Sequence, residues 1–334
     1  MTTLRYRPLV GRVLCLVTLL VAFSAAPVAA DSQDRQGVQK AVLVTGASSG
    51  IGRRITELLA SEGHFVYAGA RKQSDLDELD ALENVAAIRL DVTIQEDVDA
   101  AVETIRKAGG GLHGLVNNAG VYTGGPLIET DIGELQWIFD VNVLGVYRVT
   151  QAFAPLLIES KGRIVNISSI SGVLDWPMGG LYTMSKHAIE TYSDTLALEM
   201  ARFDVKVSAI EPGNFKSDIS AAARSRMANK GVQAEDTRYP DLWAGLTDSP
   251  EDRSQYQEPD AVAKAALHAL FDDRPRPRYL VVPNQQEAEW TIAELIGELV
   301  EFNEGHPYSY SREQLIEMID AAMAAPDPSD PAQN

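Results

Sequence analysis

Cysteine is almost missing from this chain. Cys15 is the only one in 334 residues, and it sits inside an apolar run near the N-terminus. Disulfides within the chain, thiolate catalysis and cysteine-type zinc sites are therefore excluded. The five histidines are scattered, with no metal-ligand spacing such as H-E-x-x-H, so no metal site is expected. Basic residues are also few: 29 Lys and Arg stand against 47 Asp and Glu, a formal charge of −18. No basic patch interleaves with aromatics, which argues against a nucleic-acid partner. An anionic cofactor must then be held by local groups, against the overall field. No internal repeat stands out.

What the chain does have is a 45% apolar share and ample length for one large α/β domain. Its first 30 residues differ from the rest. Arg5, Arg7 and Arg12 precede an apolar run from Val13, and small residues end it at Ala30. That layout is a secretory signal, with Val28 and Ala30 flanking a cleavage point before Asp31. An uncleaved membrane anchor is the second reading, because Val13 to Ala30 is about long enough to span a bilayer. A mistaken start site is the third. Signal or anchor, the positive charge before the run predicts that the following chain is exported (periplasmic or extracellular) or membrane-anchored. Leu14 is too large for the residue before a lipoprotein Cys15.

From Lys40 the pattern alternates. "AVLVTG" reads as a buried strand and "GIGRRITELLASEG" as a helix closed by Gly63. "HFVYAGA" and "AAIRLDV" are two more strands, and a helix runs from about Ile94 to Ala108. "LHGLVNNAG" is a fourth strand entering a turn. A long helix spans about Asp131 to Leu157. "GRIVNISS", "VKVSAIEPG" and "RYLVVP" supply three further strands, with a helix around Tyr182 between the first two. Continuous apolar strands alternating with helices predict α/β architecture: a doubly wound parallel sheet of about seven strands, covered on both faces. The domain should span 38–325. Its segment 214–258 has weak periodicity and the length of a substrate loop. Residues 284–325 read as extra C-terminal helices, the last capped by Ser311, and 326–334 as a frayed tail.

"TGASSGIG", Thr45 to Gly52, follows a strand and opens a helix. Gly46 allows the sharp turn, Gly50 lets a pyrophosphate approach, and Gly52 lets helix and strand pack closely. The amides and dipole at the helix start then bind phosphate. An ordinary tight turn is the alternative. The second strand ends at Ala70, where an NAD site usually has an acid, and Arg71 follows. A guanidinium there suits a 2′-phosphate, which favours NADP(H) and leaves NAD(H) open; a merely solvated Arg71 is the rival reading. Asp91 ends the third strand, either to accept from an adenine amino group or as a helix N-terminal acid.

In "LYTMSKHAIE", Tyr182 and Lys186 share one helical face. The spacing alone decides nothing. Taken with "TGASSGIG", "NNAG", "NVLG", the serine pair 168–169 and "PG", in this order, it makes the chain resemble the short-chain dehydrogenase/reductase family over about Lys40 to Leu280. Phrases such as "VYRVTQAFAPLL" and "IEPGNF" are similar to its retinol and hydroxysteroid dehydrogenase branch. The resemblance implies a Rossmann fold and a hydride transfer between a nicotinamide cofactor and a carbonyl or alcohol. It implies catalytic roles for Asn142, Ser169, Tyr182 and Lys186. Thr45, Gly46, Ser48, Ser49, Gly50, Ile51 and Gly52 match the cofactor turn, and Asp91 and Val92 the adenine position. Asn117, Asn118, Ala119 and Gly120 match the motif that steadies the central sheet beside the cofactor. Pro212, Gly213 and Ser217 would lie beside the nicotinamide, as would Tyr182 and Lys186.

The chemistry accounts for the residue types. A tyrosine has an ordinary pKa of about 10, too high for an efficient base near neutrality. A lysine ammonium one turn away favours its phenolate. Ser169 would hold the substrate oxygen where charge grows. It stands thirteen residues before Tyr182, and Ser168 should point the other way along the strand. Asn142 would kink its helix and hold a relay water. Asn166 begins an N-x-S sequon, but in a buried strand. Val173, Leu174, Trp176, Met178 and Phe215 should make the pocket apolar, with no Arg or Lys aimed at a substrate acid, so a hydrophobic ketone, aldehyde or alcohol is expected. The resemblance implies a homodimer or homotetramer through the helices at 131–157 and 182–202. A non-catalytic NADP(H)-binding sensor or scaffold on the same fold is the alternative function, because export would remove the chain from cytoplasmic NADPH.

Overall fold

Seven apolar runs become seven parallel strands: β1 (Ala41–Val44), β2 (Phe65–Ala70), β3 (Val85–Arg89), β4 (Gly114–Asn117), β5 (Arg163–Ile167), β6 (Lys206–Pro212) and β7 (Arg278–Val281). The computed structural model describes residues 39–229, 231, 234–247 and 256–324. The N-terminal segment 1–30, with its signal or anchor, and the tail 326–334 lie outside the described residues. The sheet order is β3-β2-β1-β4-β5-β6-β7. The chain runs outward from β1 to β3, then crosses back to β4 and runs outward the other way. That reversal opens a crevice beyond the carboxyl ends of β1 and β4, where open α/β sheets bind their ligands.

Alternate strand residues feed two cores. Val42 and Val44 face one side, with α1 (Gly50–Ser61), α2 (Gln73–Asp80) and α9 (Asp260–Phe271). Ala41 and Leu43 face the other, with α3 (Gln95–Ala108) and α5 (Gly145–Ser160), which α4 (Ile132–Phe139) precedes. The second core includes Phe153, which is fully buried; truncating such a ring costs about 3–5 kcal/mol.

Three local differences from the sequence reading have physical causes. The helix expected over 131–157 is interrupted by a π turn at Asp140–Leu144, which places the buried Asn142 inward. The short polar α2 buries only Leu76 and Leu79, too few to show a period. The substrate loop is partly helical, with α7 (Ile219–Ala228) and α8 (Pro240–Thr247), and α9 follows it; all three are short or alanine-rich. Between β5 and β6 runs α6 (Gly180–Met200), which carries Tyr182 and Lys186.

At the C-terminus, Asn284 caps α10 (Gln285–Asn303) by accepting from the Glu287 amide at 3.0 Å. Only its first turns dock: Glu287 and Thr291 are buried, and every residue from Ile292 to Phe302 is exposed. Ser311 caps α11 (Arg312–Ala324) in a reciprocal box with Gln314.

Candidate active site

A cavity of about 1160 Å³ occupies the crevice. Its walls come from the segments just past β1 to β6, with residues of α6 and of the substrate loop among them.

The turn after β1 is built around absent side chains. Gly46 and Gly50 have φ of +64° and +54°, conformations that suit glycine. A Cβ on Gly46 would come within 2.8 Å of Ala119 Cα. A Cβ on Gly52 would come within 2.3 Å of both Asn118 Nδ2 and the Gly46 carbonyl. Contact that close admits only hydrogen. The first turn of α1 then points free amides at the crevice with no acidic side chain among them, the electrostatics that phosphate needs. These residues fit a dinucleotide pyrophosphate. Thr45 does not line the cavity. Its Oγ1 accepts from the Asn118 and Ala119 amides, both at 3.0 Å, while Asn118 Nδ2 donates to the carbonyls of Thr45 and Gly46. Thr45 thus joins the end of β1 to the end of β4 beside the glycine turn. Asn117 continues the stitching through Thr150 and Asn166, and Asn166 through Ser193. Asn166 is fully buried, which keeps its sequon from solvent.

Past β2, Arg71 extends into solvent with its side chain 64% exposed, 3.8 Å from Asp91. Lys72 lines the same end of the cavity, a second cation that the sequence reading passed over. Burial pushes the Asp91 carboxyl up, but bonds from the Thr93 amide and hydroxyl, with the charges of Arg71 and Arg89, hold it below the usual range. Both accepted bonds fall on Oδ1 and leave Oδ2 toward Arg71. Asp91 is therefore an ionised acceptor. Val92 lies beside it on the cavity wall.

Past β4, β5 and β6, Ser169, Tyr182 and Lys186 all line the cavity, as do Gly120, Pro212, Gly213 and Ser217. Ser168 lines it too. Ser169 Oγ accepts from the Ser171 amide at 3.1 Å and lies 3.0 Å from Ser171 Oγ, which fixes its rotamer. Lys186 Nζ donates to the Ile167 carbonyl at 2.9 Å and lies 5.6 Å from the Tyr182 ring centre. Burial pulls the Lys186 ammonium down to about 8, while the Glu190 charge opposes that fall. Asn142 does not line the cavity. Its amide group accepts from the Val121 N–H and donates to the Val121 carbonyl and Ser185 Oγ. It holds the β4 turn in place.

The apolar wall differs from expectation in its members. Leu174, Trp176 and Phe215 line the cavity; Val173 and Met178 do not. Tyr122, Trp137, Met227 and Leu246 do so in addition. Burial pushes the Tyr122 phenol up, opposed by a hydrogen bond with Trp176. Arg224 and Arg226 also line the cavity. Arg226 makes a bidentate pair with the buried Glu134 at 2.8 and 3.0 Å and stacks 3.6 Å from the Trp137 ring centre. Its charge is thereby matched within the protein. Neither arginine was visible as a pocket residue in the sequence, because the weakly periodic segment gave no helix face to place them on. Glu287 was missed as well: its Oε2 accepts the Asn214 amide at 2.8 Å, from the C-terminal helix to the turn after β6.

The matches to known proteins agree with this geometry. The family model for short chain dehydrogenases covers residues 40–228. An NADPH-dependent 3-dehydrocapnine reductase from Ornithobacterium rhinotracheale is 37% identical over 253 residues, 73% of this chain and 88% of that protein. The structure of a short-chain dehydrogenase from Streptomyces avermitilis superposes with a TM-score of 0.65 at 31% identity, covering 80% of this chain and 96% of that one. A short chain dehydrogenase/reductase from Burkholderia phymatum, solved with NAD, superposes with a TM-score of 0.65 at 28% identity, covering 82% and 98%. The fold and site define a nicotinamide-dependent oxidoreductase of alcohol and carbonyl groups. The chain belongs to the short-chain dehydrogenase/reductase family.

Proposed function

We propose that the protein interconverts an apolar ketone or aldehyde and its alcohol, with NADP(H) preferred over NAD(H). The observation that carries this reading is the meeting of Ser169, Tyr182 and Lys186 in one cavity with the glycine cradle and Arg71. When bound, the nicotinamide supplies or accepts the hydride. Tyr182 gives the proton to the carbonyl oxygen during reduction and takes it back during oxidation. Lys186 favours the phenolate by its charge and orients the nicotinamide ribose. Ser169 donates to the substrate oxygen as negative charge gathers there. The aromatic and aliphatic wall supports an apolar substrate body. Arg224, whose Nε and Nη2 are withdrawn from solvent, adds a polar stretch beside it.

NADP(H) preference is supported by Arg71, Lys72 and the missing acid after β2, and by the NADPH dependence of the Ornithobacterium relative. Pairing of two copies through α5 and α6 is supported by exposed Tyr147 and Leu198. The N-terminal segment would carry this domain out of the cytoplasm or tether it, which fractionation of the expressing cell tests. For the activity, the full chain is titrated with NADPH and NADH by nicotinamide fluorescence. A panel of apolar ketones and aldehydes is then added while nicotinamide absorbance is followed. Carbonyl-dependent oxidation of NADPH that disappears in Tyr182→Phe, with nucleotide binding intact, is the expected result. Binding without turnover on any carbonyl or alcohol overturns the catalytic reading in favour of a nucleotide sensor.

A further inference from the structure

Glu190 lies one helical turn beyond Lys186 on α6 and is buried with it. It does not line the cavity. Its two oxygens have different surroundings. Oε2 pairs with Arg278 Nη1, at the start of β7. Oε1 packs on Gly172, in the 3-10 turn that Ser169 caps. A Cβ on Gly172 would come within 2.7 Å of that oxygen.

Arg278 is shared by three carboxylates. Its Nη1 also reaches Glu211 Oε1 at 2.5 Å, and its Nη2 reaches the two oxygens of Asp194 at 2.9 and 2.8 Å. Glu211 is 3% exposed and directly precedes Pro212 and Gly213. The charged groups facing Glu190 are thus Lys186 and Asp194 from its own helix, Glu211 from β6 and Arg278 from β7. The 3-10 turn brings none. Burial, then the Glu190 charge, pushes Glu211 up to about 7, with Arg278 acting against both.

Lys186 is buried at the cavity wall, and its ammonium has a backbone carbonyl for a partner. A carbonyl dipole offsets little of the cost of a buried cation. A carboxylate one turn away, on the same buried face, acts on that cation more strongly than it would in water. We propose that Glu190 is a positioning residue whose carboxylate is the counter-charge of the buried Lys186 beside Tyr182, and that Arg278 holds that carboxylate in place between α6 and β6. The inference rests on the Tyr182–Lys186 chemistry proposed above. It adds a layer behind it, made of residues that never touch cofactor or substrate.

The test needs no substrate. The ionisation of Tyr182 is followed in the full chain by the near-ultraviolet absorbance of tyrosinate, as the difference between wild type and Tyr182→Phe. In Glu190→Gln, measured against Tyr182→Phe in the same background, the lysine loses its counter-charge and is neutral at lower pH. The Tyr182 midpoint then moves up, by about one pH unit, or tenfold less phenolate at fixed pH. Glu190→Asp keeps the charge but draws it back one methylene, so its midpoint lies between the two. It also serves as the test should Glu190→Gln not fold. A midpoint unmoved in the folded variant overturns the role of Glu190 and leaves the Tyr182–Lys186 chemistry standing. A wild-type midpoint no lower than that of free tyrosine overturns both.

Discussion

Removing the guanidinium past β2 tests how this acidic chain holds an anionic cofactor. In Arg71→Ala the loss should fall on one nucleotide only. A hydrogen bond to a charged group contributes about 1.5–3 kcal/mol to binding. Arg71 is mostly solvent-exposed, so the lower end of that range applies. Lys72 remains in the same wall and limits the loss further. About 1.5 kcal/mol corresponds to roughly a tenfold rise in the Kd of NADPH. NADH has no 2′-phosphate, so its Kd should stay within about twofold. The contrast should shrink as salt is raised, since the site is open to screening. Fluorescence titration of both nucleotides at two ionic strengths reads all of this. An equal loss for NADPH and NADH would place Arg71 in general folding of the turn, and no loss for NADPH would remove it from recognition.

Other perturbations have expected outcomes. In Gly52→Ala the new methyl meets Asn118 and the Gly46 carbonyl at 2.3 Å, so α1 must shift; stability should fall by about 1–3 kcal/mol in denaturant unfolding, and both nucleotides should bind more weakly. Thr45→Val removes the acceptor of the Asn118 and Ala119 amides and should cost about 1–3 kcal/mol with the cavity walls otherwise intact; unchanged stability would contradict the bracing role. Lys186 is held near 8 against an ordinary 10.5. The unfolded chain then binds more protons between those values, so stability from this group rises with pH across that window. Lys186→Met should accordingly melt higher than wild type at neutral pH, with the gain closing toward pH 10.5, as scanning calorimetry against pH would show.

The strands and the glycine turn were readable because their signals are local. A short stretch rich in apolar residues, or three glycines after a strand, carries its meaning within one window. Tyr182 and Lys186 also lie in one window, but their meaning came from the ordered motifs around them. Structure that depends on distant pairing left no such trace. Glu287 meets Asn214 across 73 residues, Arg278 meets Glu190 across 88, and Arg226 meets Glu134 across 92. Nothing in a window of charged residues says which one will be buried. Asn142 shows the opposite limit: its place in the motif was plain, but the π turn that aims it and its bonds to Val121 were visible only in three dimensions.

The bond from Glu287 to the Asn214 amide sets an order on how the protein is made. All seven strands and every residue proposed for the chemistry are complete by Val281. The acceptor that steadies the turn after β6 arrives only with α10, and a Cβ on Gly213 would come within 2.1 Å of it, so the space is reserved before the occupant exists. A nascent chain can therefore assemble its sheet and cradle while the turn after β6 is still without this acceptor. Shortening the chain ahead of residue 287 should leave a domain that folds and grips the adenine end of its cofactor, yet holds the reactive ring loosely.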